Sequence, residues 1–406
     1  MKSVCILLQN YYDFDIRVRR KAEALVAAGY SVDVLAIQGR DGRKSYVLNG
    51  VNVTTVSLGK KRGSLARYAY EYLAFFLWCM FKLTSLMRTR RYAVVDVNTL
   101  PDFLVFAAVF ARWMGAKVVL DMHEITPEFY RSKYGMPENS MLVKVLELQE
   151  RLSFNFADQV ITINEPIEDL FVSRGLDRTK STIITNAADE TKFLAYKPGG
   201  KSAASKEPGT FVFMYHGTLT NLYGLDIAIE AFAKAHQEMP GAEMWILGEG
   251  PESPRLMSLA SERGLNEKVK LIGVVQPSAI PDWLYQADVG LLPIRLDVFL
   301  QYASPNKLAE YIIMNKAVII SRLRAIRHYF SEDALAFCNP NDPEDLAKQM
   351  VRVYLDGNLR SQLATKALRE YEPIRWDVMK ERYLKLIERI SGSAKVGQAN
   401  AIGASK

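Results

Sequence analysis

A chain of 406 residues is too long for one ordinary core, so two domains are expected, and 49% hydrophobic with 24% charged residues is the composition of a soluble globular protein. The net charge of +7 is uneven: residues 1–120 hold 18 Lys and Arg against 8 Asp and Glu, a balance of +10 that leaves −3 for the remainder. That excess calls for an acidic partner at the first part of the chain; no nucleic-acid-binding motif accompanies it, so an anionic membrane surface or a phosphorylated acceptor fits better than nucleic acid.

Cys5, Cys79 and Cys338 are scattered, odd in number and without metal-ligand spacing. They exclude a disulfide framework and fit reduced thiols in a cytoplasmic setting. The start, MKSVCILLQNYYDFD, reads as a first buried strand rather than a signal peptide. The uncharged run Tyr72 to Phe81 has ten residues and is too short to span a bilayer.

Residues 3–8 form the first strand, followed by a helix whose Val18, Ala22, Leu25 and Val26 recur at helical spacing up to Gly29, and by a strand at 32–37. This strand–helix–strand unit belongs to a parallel sheet, where ligands gather at the carboxyl ends of the strands. Arg17, Arg19 and Arg20 near the start of that helix are either a solvated basic face or substrate contacts. From Lys60 to Arg91 runs a helical stretch with five aromatic residues between Tyr68 and Phe76 and basic residues at both ends. It is either a core helix packed on the sheet or one whose beginning lies in a membrane interface with its cations on lipid phosphates.

Buried strands at 93–97 and 117–121 flank an apolar helix expected from Pro101 to Met114. His123 and Glu124 then fall at a strand tip; His123 is either structural or, beside two acids at a carboxyl end, catalytic. Strands at 159–163 and 182–185 close the first half, with Asn164, Glu165 and Asn186 at their tips. Residues 197–209, rich in Gly, Ser, Pro and Lys, read as a linker at a domain boundary. The same grammar then restarts: strand 211–215, a glycine-bearing loop from His216 to Gly224, a helix, and strands at 243–247, 269–272, 289–293 and 317–320. An amphipathic helix from about Trp376 to Ile390 precedes a tail low in large apolar residues and expected to be disordered.

Residues 298–321, VFLQYASPNKLAEYIIMNKAVIIS, carry the most chemistry. Ser304 is expected as N-cap and Pro305 as first helical residue, so that free N–H groups and Lys307 face a loop as an anion site. Glu310, three residues on and on the same face, can accept from two vicinal ribose hydroxyls. Phosphate and ribose together suggest a nucleotide; an ordinary capped surface helix is the alternative.

Two Rossmann-like halves, a glycine loop opening the second, GEGPE at 248–252, a strand ending in LLP and the SPNKLAEY helix together resemble the nucleotide-sugar glycosyltransferases of the GT-B fold, specifically glycosyltransferase family 4. The resemblance covers nearly the whole chain. It implies an α/β protein of two Rossmann-like domains facing each other across a cleft: residues 1–192 for the acceptor, with 375–392 packing back on them, residues 208–374 for the donor, and a tail at 393–406. It implies a sugar transferred with retention from a UDP- or GDP-linked donor to a glycan or lipid-linked acceptor, in bacterial polysaccharide or glycolipid assembly; the basic excess of residues 1–120 adds the expectation that the acceptor is presented at the inner membrane face. No cofactor is implied.

Gly217 and Thr218 match the glycine loop beside the diphosphate, Glu310 the second glutamate of the family's E-x7-E motif, and His123 the histidine beside the donor sugar. The turn of Ser304, Asn306 and Lys307 lies where donor phosphates are held. Glu124 joins His123 as catalytic, and Arg17, Asn164 and Glu165 are expected at the acceptor. Three departures stand out: Tyr302 occupies the first glutamate position, and Thr218 and Tyr223 replace the family's Arg and Lys in the glycine loop. Lys307 and Arg295 are expected to substitute for those charges. No Asp-x-Asp pair is placed to hold a divalent ion on the diphosphate, so a metal-independent reaction is expected. The departures leave a non-catalytic sugar-nucleotide or polysaccharide-binding protein, or a nucleotide-sugar epimerase, as alternatives.

Overall fold

Strand Ser3–Leu8 (β1) is buried from Val4 onward, as a strand must be when helices cover both faces of a parallel sheet. A computed structural model of the chain describes residues 2–58, 65–188, 190–196 and 205–392. The first sheet adds Ser31–Ile37 (β2), Ser45–Leu48 (β3), Val51–Val56 (β4), Tyr92–Asn98 (β5), Lys117–Asp121 (β6), Gln159–Thr162 (β7) and Ser181–Ile183 (β8), in the order β3-β4-β2-β1-β5-β6-β7-β8. The second holds Phe211–His216 (β9), Ala242–Leu247 (β10), Val269–Gly273 (β11), Val289–Leu292 (β12), Ala317–Ser321 (β13) and Ala336–Cys338 (β14), ordered β11-β10-β9-β12-β13-β14. In each sheet the strand order reverses beside the first strand, β1 or β9, which opens a crevice at the carboxyl ends.

All pairings are parallel except β3 with β4, joined at Leu48↔Val51 through Asn49 and Gly50, both at positive φ (50° and 81°). That two-residue turn matches the twist of the strands it joins. Sequence reading had not assigned this hairpin, nor the helices Met141–Phe156, Pro343–Leu355 and Gly357–Tyr371. The helix expected over 101–114 is instead a 3-10 segment, Asp102–Ala108, running into a short α-helix, Val109–Trp113. A run apolar on every side carries no period from which to tell the two windings apart.

The first sheet has a core on each face. One packs beneath helix Leu65–Met87, which buries Phe75, Cys79, Leu83 and Met87 at four-residue spacing. The other lies under helix Ile16–Ala27 and the terminal helix Trp376–Ile390, which sends Met379, Tyr383, Leu386 and Ile387 back into the first domain. The second domain has one continuous core, and Ala188 and Phe193 belong to it. Residues 393–406 and most of the expected linker lie outside the described residues. Cys5, Cys79 and Cys338 are buried and unpaired. Among the described residues, no helix is long and apolar enough to cross a membrane.

Candidate active site

Where β9 ends, His216 and Gly217 turn the chain into the glycine loop. Gly217 has φ +129°, and a Cβ placed on it would stand 2.2 Å from Cε of Lys307. A side chain at 217 would displace the lysine; glycine lets it cross the loop. Gly248, at the tip of β10, is bound by the same logic, since a Cβ there would stand 2.0 Å from the carbonyl oxygen of Gly217. The two loops so pressed together, with Thr218, Glu249 and Val274, line a cavity of about 290 Å³ at the carboxyl ends of β9, β10 and β11.

Lys307 belongs to helix Asn306–Ile313. Its Nζ lies 4.1 Å from the centroid of the Tyr223 ring and 5.2 Å from that of Tyr215. Tyr223 thus presents its electron-rich face to the cation. Burial, against the pull of Glu310, pushes the Lys307 ammonium down to about 8. Glu310 Oε2 is 3.3 Å from Nε2 of His216, without hydrogen-bond geometry for the imidazole. Burial and then Lys307 push His216 down to about 3, so it is a neutral ring beside the carboxylate.

The helix start departs from the sequence reading. Pro305, not Ser304, occupies the cap position (φ −71°, ψ 129°), and no side chain caps the helix. Ser304 Oγ instead accepts from Nδ2 of Asn164 at 3.3 Å, and the same amide donates to the Tyr302 carbonyl at 2.9 Å. Asn164 also caps helix Glu165–Ser173 by accepting from Ile167 N–H. Asn306 is exposed at the first helical residue. Arg295 is occupied elsewhere: it pairs with Asp226 at 2.5 Å and donates to the Asn221 carbonyl at 2.9 Å. It holds the glycine loop to the segment that follows β12 rather than facing the cavities.

Across the cleft, the second sequence cluster is held from below. Asp121, the last residue of β6, accepts from Arg17 at 2.8 Å and from the buried ammonium of Lys21. Lys21 also donates to Asp96 at 3.0 Å and to Asn98 Oδ1 at 2.9 Å, and Tyr383 donates to Asp96 at 2.7 Å. Burial alone would raise the Asp121 carboxyl; Arg17, Lys21 and then His123 outweigh it and hold it well below its usual range. Asn98 Nδ2 donates to Asp96 Oδ1 at 3.1 Å and the Leu7 carbonyl at 3.3 Å, which turns Oδ1 towards Lys21 and His123. His123 Nε2 lies 3.1 Å from that oxygen, so this ring nitrogen carries a proton. Burial pushes the neighbouring Glu124 up to about 7.

His123, Glu124, Tyr223, Tyr302, Ser304 and Pro305 share an interdomain cavity of about 180 Å³. The three residues expected at the acceptor each have partners within the protein. Arg17 is spent on Asp121, Asn186 and the Ile184 carbonyl; Asn164 bridges the domains; Glu165 accepts from Tyr329 of the second domain and borders a different cavity. Tyr302 packs into the first domain's core and its hydroxyl accepts from Arg324 at 3.2 Å, so nothing acidic stands at the first position of E-x7-E. Asp13 and Asp15, the Asp-x-Asp triplet of this chain, are also engaged: Asp13 by Arg43 and Tyr46, Asp15 as cap of helix Ile16–Ala27. Among the described residues, no three His, Cys, Asp or Glu side chains converge as a metal site.

Sequence reasoning missed His216, Lys21, Asn98 and Asp121. The first stood in view at a strand tip. Lys21 was masked by the apolar stripe Val18, Ala22 and Leu25 in which it lies.

Two facing Rossmann-like domains with a basic, glycine-lined cradle on one and a histidine–carboxyl pair on the other define a GT-B architecture. Residues 15–187 match the glycosyl transferase 4-like domain family and residues 210–356 the glycosyl transferases group 1 family, between them most of the chain. The chain belongs to the GT-B glycosyltransferases of the family 4 kind, and is an enzyme of that class. It is similar to the lipopolysaccharide core biosynthesis glycosyltransferase LpsE of Rhizobium meliloti, 26% identical over 245 residues, 58% of this chain and 66% of the relative. The first curated relatives are matched over 15% to 66% of their own length. In fold it is similar to sucrose-phosphate synthase from Thermosynechococcus elongatus (TM-score 0.74, 15% identity, 97% of this chain and 100% of that one). It is also similar to Anabaena HepE in complex with UDP (TM-score 0.69, 14% identity, 96% and 100%).

Proposed function

We propose that this glycosyltransferase moves a sugar from a nucleoside-diphosphate donor on the second domain to a hydroxyl of a glycan or lipid-linked acceptor on the first, with retention and without a metal ion. The observation that carries this reading is the cradle of Gly217, Lys307 and Glu310 opposite His123 and Glu124. Lys307 and the N–H groups at the start of its helix would take the charge that develops on the leaving diphosphate, and Glu310 would take the ribose hydroxyls. His123 Nδ1 would orient the sugar. Glu124, held near neutrality, is suited to exchange a proton with the acceptor hydroxyl. HepE is known in complexes with UDP and UDP-glucose, which supports a UDP-linked donor ahead of a GDP-linked one. LpsE supports a place in bacterial surface-polysaccharide assembly.

A melting-temperature screen with UDP, GDP and ADP sugars tests the donor site. One nucleoside class should stabilise the protein, by about 2.7 kcal/mol at a hundredfold excess over Kd, and Glu310→Ala should abolish the shift. Release of free nucleoside diphosphate on adding acceptor then marks transfer. No shift with any of the three would remove the reading.

The acceptor side would lie against an anionic membrane at the inner face. Helix Leu65–Met87 leaves Leu73 (54% exposed), Leu77 (40%) and Phe81 (67%) outside the core, and Trp113 stands nearby at 77%. Arg88 and Arg91 flank this apolar face. Co-sedimentation with vesicles containing phosphatidylglycerol should be salt-sensitive and weakened by Phe81→Ser; recovery of all protein in the supernatant at low salt would refute it.

A further inference from the structure

We propose that the largest described cavity takes the terminal sugar ring of an uncharged glycan, stacked on a cradle of tyrosines, Tyr68, Tyr72, Tyr130 and Tyr134. The cavity, about 1140 Å³, opens beside His123 and Glu124 and runs between helices Leu65–Met87 and Thr126–Tyr134 to the loop at Thr220. Its use as the acceptor subsite rests on the glycosyltransferase reading above; its chemistry does not.

The walls are aromatic. Tyr68 and Tyr72 lie 6.3 Å apart between ring centroids, Tyr130 and Tyr134 5.6 Å, and Phe129 meets Phe299 of the other domain at 5.6 Å. Such rings offer flat apolar faces with hydroxyls at the edge, which suits a pyranose: C–H bonds on one face, hydroxyls around the rim. The lining charges among the described residues are Asp15, Glu71 and Glu124 against Lys133. The lysine is already committed, its Nζ 5.3 Å from the ring centroids of both Tyr68 and Tyr134 and 5.5 Å from that of Phe129. A phosphate or uronate would find both nearby cations engaged, Lys133 over the rings and Arg67 with Glu71 at 2.8 Å, and would stand beside Asp15. A neutral polyol would find carboxylate acceptors and phenol donors.

An array of neutral, uronic-acid-bearing and phosphorylated oligosaccharides, probed with the full chain, tests the proposal without a donor. Binding should concentrate on neutral glycans. Tyr134, 41% exposed, can be changed without opening the core, and Tyr134→Ala should weaken binding about tenfold, with Tyr134→Phe close to the parent. Tyr72→Ala should act in the same direction. An unchanged UDP-induced melting shift in each variant would show that the fold is intact. Binding confined to charged glycans, binding to none, or a Tyr134→Ala protein that binds as the parent does would overturn the proposal. Glycan binding with no response to any nucleotide would instead count against the donor reading and leave this one standing.

Discussion

Replacing Lys307 by alanine should lower kcat by about a hundred- to a thousandfold, the cost of removing one well-aimed donor from a developing oxyanion in a site closed to water. The effect should be this large because the glycine loop carries uncharged Thr218 and Tyr223 beside this site, and Arg295 is tied to Asp226. Folding should not suffer. The folded chain holds this ammonium at about 8, below its ordinary 10.5, so between those values the unfolded chain binds more protons and stability rises with pH. The desolvation penalty is fully present below pH 8, which means alanine removes a strained charge and the melting temperature should be retained. The same shift sets the pH dependence. kcat/KM should fall as pH rises through about 8, and this alkaline limb should vanish in Lys307→Ala. Donor diphosphate favours the charged form, so binding UDP at pH 8 to 9 should take up a proton, measurable by calorimetry in buffers of different ionisation heat. An unaltered turnover, or an alkaline limb that persists in the variant, would contradict this role.

Much of the frame was legible in the chain: short buried strands, helices between them and a second copy of the pattern after residue 209 specify two parallel sheets, because only helices on both faces bury such strands. The meeting of Gly217 and Lys307 was foreshadowed too, since one sits at a strand tip and the other at a helix start, and the structure brings them together. What failed was whatever a distant partner decides. Ser304 reads locally as a cap, but Asn164, 140 residues earlier, draws its hydroxyl across the domain interface. Arg17 at a helix start and Glu165 just past a strand tip are placed like ligands, yet buried Asp121 and Tyr329 hold them. The hairpin at Asn49 and Gly50 was a different kind of miss: the turn signal stood in the sequence and went unread. The tyrosine-lined cavity was the least legible part, because its tyrosines come from two helices whose facing is fixed only once both pack on the sheet.

Lys21→Met should cost about 3–5 kcal/mol of stability, the usual result of stripping the partner from buried charges. Lys21, Asp96 and Asp121 are all fully buried, and Lys21 touches Asp96, Asn98 and Asp121 together. Without it, two carboxylates remain in the interior with Arg17 beside only one of them, so one must take up a proton. That requirement gives the loss a pH signature. Protonation comes more readily in acid, so the deficit relative to the parent, read from urea melts, should shrink between pH 7 and pH 5. The parent moves the other way: Asp121 is held well below its usual value, so its contribution is complete above about pH 4 and is lost as pH falls further. Adding Asp96→Asn to Lys21→Met should recover part of the loss, because it removes the carboxylate that Arg17 does not reach. Activity should fall in both variants beyond what stability explains, since Asn98 Oδ1, shared between Lys21 and His123, loses the donor that fixes its orientation and with it the histidine's tautomer. A Lys21→Met protein as stable as the parent at pH 7 would mean that the interior charges are solvated, and that His123 is positioned by some other contact.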